Sequence, residues 1–407
     1  MDSRAPREDA AARDAIGRVS AGARVAAFVV AVALGLCAVW WLFAGKSEDF
    51  AAAGLGVNTS VHEESLHVAS RRVVCFGLDD LDRCLSALPP SRRRRRVLWL
   101  GWSQLYAIND FHVGDRTAPS LLAERLAAAD IDLIVIAMPN INPREELLVY
   151  AYVRQRLALS GLIVPAWLQG MKREGIRPTW AAALADPAVR TALAALPSGP
   201  SILAANAQEA KSAQEIAQIA QKTAQEPTQT TQQRVEGWLL ARLDARFPLW
   251  RLRGEAQGRI KLALMDGKEQ VLRLRNLLLG TRAKNWVNVI PPARQAINMQ
   301  ALTDLVGAAR HDGLSVLLYV PPRPRHEFPF DPALYTAFKA DAERLARASG
   351  AAFANIEDSV DDGVWGRIDN GAGELVTDFS HFTAVGHRQM AGAMHDALAA
   401  TILPQLR

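Results

Sequence analysis

The chain has 407 residues, half of them apolar and 22% charged, and carries a formal net charge of +5. That length and composition suit one large globular domain or two small ones with appendages. No zinc-ligand spacing, RNA-binding signature or sustained interleaving of aromatic and basic residues accompanies the positive charge, which excludes nucleic acid as an expected partner.

Residues 1–24 are polar and mixed in charge and read as a cytoplasmic tail. Residues 25–45, VAAFVVAVALGLCAVWWLFAG, hold no charge. About 20 residues cross a hydrocarbon core of ~30 Å, so this run reads as a transmembrane anchor. It is longer than the apolar core of a secretory signal and no small-x-small cleavage site follows directly, so the anchor reads as uncleaved. Trp40 and Trp41 fit an interfacial belt. Arg13, Arg18 and Arg24 precede the run and only Lys46 lies just after it. Positive charge gathers on the cytoplasmic side. The expectation is a single-pass protein of the cell (inner) membrane, with residues 46–407 extracytoplasmic or periplasmic.

Residues 46–96 read as a tether and entry segment, with a short apolar stretch and a helix closed by Pro89 and Pro90. Of the three cysteines, Cys37 lies in the apolar run, and Cys75 and Cys84 stand close together. The latter two form a bridge in an oxidising compartment or remain two buried thiols. Arg92 to Arg96 are five consecutive arginines. They read as a solvated strand entry, or as a contact for anionic lipid headgroups or an anionic polymer.

An α/β pattern begins at residue 97. Residues 97–100 are a short apolar run that ends at Gly101, with Ser103 in the turn beyond. A helix over 120–129 and a continuous apolar strand over 131–138 complete one βαβ unit. Residues 145–200 read as helical with breaks at Pro165, Pro178 and Pro187, and 204–232 as an Ala/Gln-rich low-complexity segment. Residues 233–286 are amphipathic and basic, reading as a helix packed on the domain or as a docking face for a membrane surface or membrane partner, with Trp238–Trp250 as a membrane foot. The pattern resumes with a helix over 299–311, a strand over 314–320, a helix over 332–349, a strand over 351–356 and a final helix over 383–400. A loop with Asp358, Asp361, Asp362, Trp365 and Asp369 lies between the last two. Such repetition predicts a three-layer α/β domain, a parallel sheet with helices on both faces, formed by 97–150 and 296–407. Residues 151–295 are then a mostly helical insertion.

The chemistry concentrates where strands end, the ligand-binding edge of an open α/β sheet. A serine hydroxyl needs a base within hydrogen-bond reach and a group to orient that base. Histidine suits the first role, because its pKa lies near neutrality, and a carboxylate suits the second. Asp378 and His381 stand three apart just before the last helix, in a loop as read here. The fold can bring them to Ser103. Acyl transfer also needs oxyanion donors, each worth about 3–4 kcal/mol. The backbone amide of Ser103 or Gln104, and the side chains of Asn140, Asn109 and, third, Asn142, are the candidates. Competing roles are a helix cap for Asp378, a turn for Asn140 and packing for His387, while His112 is a weaker alternative base. The eight histidines are scattered and no H-E-x-x-H or paired-carboxylate motif occurs. No metal or other cofactor is expected.

Gly101-Trp102-Ser103 and Asp378-Phe379-Ser380-His381, with the continuation Phe382-Thr383-Ala384-Val385-Gly386-His387, resemble the SGNH (GDSL-type) hydrolase superfamily. Trp102 replaces the usual Asp of the first block. Pro139-Asn140 stands where the family has G-x-N-D, and Gly114 is the nearest counterpart of the block-two glycine. The resemblance implies a flavodoxin-like fold and a Ser103–His381–Asp378 triad. The anchor, the helical insertion and Pro321-Pro322 after the third strand resemble the DltD-like branch, whose members modify envelope polymers with acyl groups beside a multi-span membrane acyltransferase. The expectation is a serine esterase or O-acyltransferase acting on an anionic envelope polymer or lipid. The alternative is a polymer-binding or scaffold protein without turnover, favoured by the missing G-x-N-D block.

Overall fold

The computed structural model describes residues 58–86, 88, 94–173, 175–204, 289–326, 328–369 and 375–406. All fall in one unit, Gly54–Arg407. Its strands are β1 (Thr59–Ser60), β2 (His67–Val68), β3 (Arg71–Arg72), β4 (Val74–Cys75), β5 (Arg95–Gly101), β6 (Ile108–Asn109), β7 (Ile131–Ala137), β8 (Gly161–Pro165), β9 (Ser315–Val320), β10 (Ala352–Asn355), β11 (Trp365–Asp369) and β12 (Leu375–Thr383). The longer helices are α1 (Gly77–Ser86), α2 (Ala118–Ala127), α3 (Pro143–Val153), α4 (Pro187–Ala194), α5 (Pro292–His311), α6 (Pro332–Ser349) and α7 (Ala384–Thr401).

Six strands form the main sheet in the order β10-β9-β8-β5-β7-β4, every pair parallel. Counted from β5 the order is flavodoxin-like, with β4 added at the β7 edge. The order reverses between β5 and β8, so the carboxyl end of β5 faces the crevice where such sheets bind ligands. Each residue of β7, β8 and β9 is buried, as expected of parallel strands covered on both faces. Alternation divides the core in two. Leu98, Leu100, Ile134 and Ile136 pack with residues of α3, α5 and α6. Val97, Trp99, Leu133 and Val135 pack on the other face with residues of α2 and α7.

Several elements differ from the sequence reading. Residues 161–165, read as part of a helical insertion, are β8 at the centre of the sheet. Four residues closed by a proline carry too short a pattern to separate strand from helix. Residues 58–70, read as tether, belong to the fold, as do 71–86, where the helix read there is α1: β4 is an edge of the main sheet and β1 joins a second one. That second sheet, β1-β6-β12-β11, was not expected. It takes in β11 and β12, read as loop, because their polar residues hide the strand signal. Cys75 and Cys84 are joined by a disulfide that ties β4 to α1. Of the arginine run, Arg94 pairs with the buried Asp132 at the entry of β5. The anchor at 25–45, nearly all of the Ala/Gln-rich segment and the Trp238–Trp250 stretch lie outside the described residues. Among the described residues no helix is long and apolar enough to cross a membrane.

Candidate active site

Ser103 opens a 3-10 turn, Ser103–Leu105, two residues beyond the end of β5. The chain turns back because the amides of Tyr106 and Ala107 both donate to the Ser103 carbonyl, at 3.1 and 2.9 Å. A side chain at position 101 would run into Leu105, so the turn needs Gly101. The amides of Ser103 and Gln104 lead the turn and have no acceptor within it, as first amides of a helical turn do not.

Asp378 and His381 lie on β12, not in a loop. On a regular strand, residues three apart point to opposite faces. Here the register between β11 and β12 slips, so that residues 378–381 face Gly366 alone. Within this bulge the amides of Ser380 and His381 donate to Asp378 Oδ1, at 2.9 and 3.2 Å. That local turn puts both side chains on one side. His381 Nδ1 then meets Asp378 Oδ2 at 2.7 Å, and His381 Nε2 meets Ser103 Oγ at 2.8 Å. The carboxylate can only accept, so Nδ1 carries the proton and Nε2 faces the hydroxyl as an acceptor. All three side chains are buried: Ser103 is 6% exposed, Asp378 2% and His381 5%.

The oxyanion candidates divide. Asn109 Nδ2 donates to Thr59 Oγ1 at 3.0 Å and holds β1 to β6. Asn142 caps α3, in a capping box with Glu145, and donates to the Gly175 carbonyl. Both therefore do structural work. Asn140 adopts a left-handed φ of 52° in the turn after β7, a conformation that asparagine tolerates better than most residues. Ala137 pairs with Gly101, so that turn and Ser103 share one edge of the sheet. Gln104 Nε2 donates to the Pro322 carbonyl at 3.1 Å. His112 is exposed and its ring lies 3.7 Å from Asp115, whereas the imidazole that meets Ser103 Oγ is that of His381. Gly114 sits in an open turn with φ 93°.

Three features around the site carried no clear sequence signal. His387, read as packing, accepts from the Ala118 amide at Nδ1 and donates from Nε2 to the Ala107 carbonyl, both at 3.1 Å. It thus joins the Ser103 turn to the start of α2. Burial, first, and then His381 lower its pKa to about 4 against the raising effects of the Ala107 bond and Asp115. Arg177 forms a two-pronged pair with the buried Glu145, at 2.7 and 2.6 Å, and donates to the Pro139 carbonyl at 2.7 Å. It thereby pins the turn that carries Asn140. Finally, a recess is lined by residues that neighbour the triad along the chain. Its wall includes Trp102 and Gln104, either side of Ser103, and Phe379, between Asp378 and His381. No cluster of His, Cys, Asp or Glu suited to a metal occurs among the described residues.

Fold and side chains together define a class: an α/β protein with a Ser–His–Asp hydrogen-bond relay at the carboxyl edge of a parallel sheet. No family model matches the chain, and no curated protein does. Among solved structures it is similar to a protein assigned as an acylhydrolase from Bacteroides fragilis NCTC 9343, at TM-score 0.36 and 11% identity over 81% of this chain and 97% of that one. It is also similar to a GDSL-like lipase from Bacteroides thetaiotaomicron VPI-5482, at TM-score 0.35 and 11% identity over 79% and 97%. Likeness of this degree assigns no activity, and the chemistry rests on the side chains.

Proposed function

We propose that this chain is a membrane-anchored, extracytoplasmic serine esterase or O-acyltransferase of the SGNH (GDSL-type) kind, acting on acyl esters of a cell-envelope polymer or lipid. The relay from Ser103 Oγ through His381 to Asp378, with contacts of 2.8 and 2.7 Å, carries the reading. As Ser103 Oγ bonds to the ester carbonyl carbon, His381 Nε2 takes the hydroxyl proton and the carbonyl oxygen becomes an oxyanion. The amides of Ser103 and Gln104, and the Asn140 side chain, are the donors proposed for it. His381 returns the proton to the leaving alcohol as the C–O bond breaks, leaving the acyl group on Ser103. Water, or a polymer hydroxyl, then gives its proton to His381 as its oxygen bonds to the acyl carbon; the acyl–Oγ bond breaks, His381 returns the proton to Ser103 Oγ, and the acid or a new ester leaves. Asp378 holds the ring in the Nδ1–H tautomer and stabilises the imidazolium.

Other observations support the setting. A disulfide favours an oxidising compartment. Arg323 and Lys339 share the single carboxylate of Glu357, leaving one positive charge behind the recess, which suits an anionic substrate. The anchor read at 25–45 favours work beside a multi-span membrane acyltransferase, as the DltD-like resemblance implies. Turnover of a chromogenic acetyl ester by the purified protein, reduced on the order of 10³-fold or more in Ser103→Ala, is the expected result. A second reading, a scaffold without turnover, is favoured by the structural engagement of Asn109 and Asn142. Absence of turnover, with tight co-purification of an integral membrane partner, would support it instead.

A further inference from the structure

The turn that carries Asn140 is fixed at the peptide that decides its shape. The Met138 amide donates to the Gly101 carbonyl at 3.1 Å, so the chain leaves β7 beside the residues that lead to Ser103. Pro139 holds φ at about −65°, Asn140 has φ 52°, and the Ile141 amide closes on the Met138 carbonyl at 3.3 Å. That combination belongs to a type II turn, with Pro second and Asn third. Types I and II differ by a flip of the middle peptide, here Pro139–Asn140, and the flip sets the sign of φ at the third residue. Asparagine tolerates positive φ, but its Cβ still disfavours it, so a contact on that peptide selects between the two turns. Arg177 makes the contact: its Nη1 donates to the Pro139 carbonyl at 2.7 Å. The guanidinium is itself held, because Nε and Nη2 grip the two carboxylate oxygens of Glu145 at 2.7 and 2.6 Å, and Glu145 is 1% exposed. Glu145 also accepts from the Arg177 amide at 2.9 Å, and Asn142 Nδ2 donates to the Gly175 carbonyl at 3.1 Å. Asn140 is left half-buried, with a side-chain amide that makes no hydrogen bond among the described residues.

We propose that Arg177 is a positioning residue: by fixing the Pro139–Asn140 peptide in its type II orientation, it aims the Asn140 side-chain amide at the oxyanion that forms on the ester carbonyl; this rests on the serine-esterase reading above. Asn109 and Asn142 spend their amides on structural bonds, so Asn140 is the asparagine with a donor to spare. In a type I turn the Pro139 carbonyl points away from Nη1 and Asn140 takes a φ of about −90°. The Cβ of Asn140, and the amide beyond it, then face another way. An oxyanion donor acts only at hydrogen-bond distance from the developing charge. The flip thus takes Asn140 out of the reaction without moving Ser103, His381 or Asp378. A guanidinium suits the task, since its fork serves a carboxylate and a carbonyl at once.

The test uses the full chain and two readouts. Pro139–Asn140 is the one Pro–Asn pair in the sequence. Protein labelled with carbon-13 at proline carbonyls and nitrogen-15 at asparagine therefore gives a single amide signal selected through that bond. A strong NOE from Pro139 Hα to the Asn140 amide marks type II, and a weak one marks type I. The strong NOE is expected in the wild type and in Glu145→Gln, and its loss when Arg177→Met is added to Glu145→Gln. Working in Glu145→Gln leaves no carboxylate buried alone, so the fold survives the loss of the guanidinium. The second readout is kcat on a chromogenic acetyl ester. Adding Arg177→Met to Glu145→Gln should lower kcat by roughly tenfold or more with KM little changed, since the lost contact belongs to the transition state. With Asn140→Gly also present there is no amide to aim, and the same addition should change kcat by less than about twofold. An equal loss in both backgrounds makes Arg177 a general structural residue and overturns the proposal. A weak NOE in the wild type, or a strong one that persists without Arg177, overturns it as well. Absence of Ser103-dependent turnover in the wild type sinks the esterase reading, and the NOE then decides by itself whether Arg177 holds the peptide.

Discussion

His387 offers a quantitative test, because its protonation state is dictated by two backbone groups. The Ala118 amide can only donate to Nδ1 and the Ala107 carbonyl can only accept from Nε2. The ring is therefore neutral in the folded protein, and a second proton would oppose the Ala118 N–H. Its pKa is lowered to about 4, chiefly by burial, whereas an unfolded histidine titrates near 6.5. The unfolded chain thus binds a proton that the folded chain refuses. Stability from this group is complete above about pH 6.5 and is lost as the pH falls toward 4, by about 3 kcal/mol. His387→Gln removes the titration. Urea unfolding of both proteins at pH 7 and pH 4 measures the destabilisation caused by the substitution. That cost should shrink by about 3 kcal/mol at the lower pH, other carboxylates cancelling in the difference. An equal cost at the two pH values would refute the assignment of His387 as a neutral bridge between the Ser103 turn and α2.

Other expectations follow from single contacts. Asp378→Asn should keep the fold but lower kcat on an acetyl ester on the order of 10⁴-fold, because the amide favours the wrong tautomer of His381; a loss below tenfold counts against the relay. Arg177→Ala strips the partner from Glu145, which is 1% exposed, and should cost about 3–5 kcal/mol in unfolding free energy. Glu146 is 3% exposed, and burial, then Glu145, push its carboxyl well above the usual range. The folded chain keeps a proton there that the unfolded chain has released, so stability falls as the pH rises above about 4.5. Glu146→Gln should therefore become progressively more stable relative to the wild type from pH 5 to pH 8 in thermal unfolding, and a pH-independent difference would contradict the burial argument.

Much of the frame is legible along the chain. The run over 131–137 is apolar except at Asp132 and rich in β-branched residues, so it reads as a buried parallel strand and is one. Asp331 before Pro332 and Gly350 with φ 65° bound α6, where cap chemistry predicts its ends. The same local signals fail at β8, which is too short, and at β11 and β12, whose side chains do not alternate cleanly. For the site, the chain shows a hydroxyl after one strand and an Asp-x-x-His before the last helix. These are statements about residue type and near neighbours.

What the sequence by itself determines is therefore which groups are present and which local conformations they favour. Only the tertiary structure decides which of them meet. Ser103 and His381 are 278 positions apart, and their contact depends on the strand order about β5 and on a bulge created by pairing with β11. The same holds for His387 at Ala107 and Ala118, and for Arg177 at the Pro139 carbonyl. Strand pairing and helix packing are set by the burial of whole faces, and no short window of residues contains the partner on which each face closes.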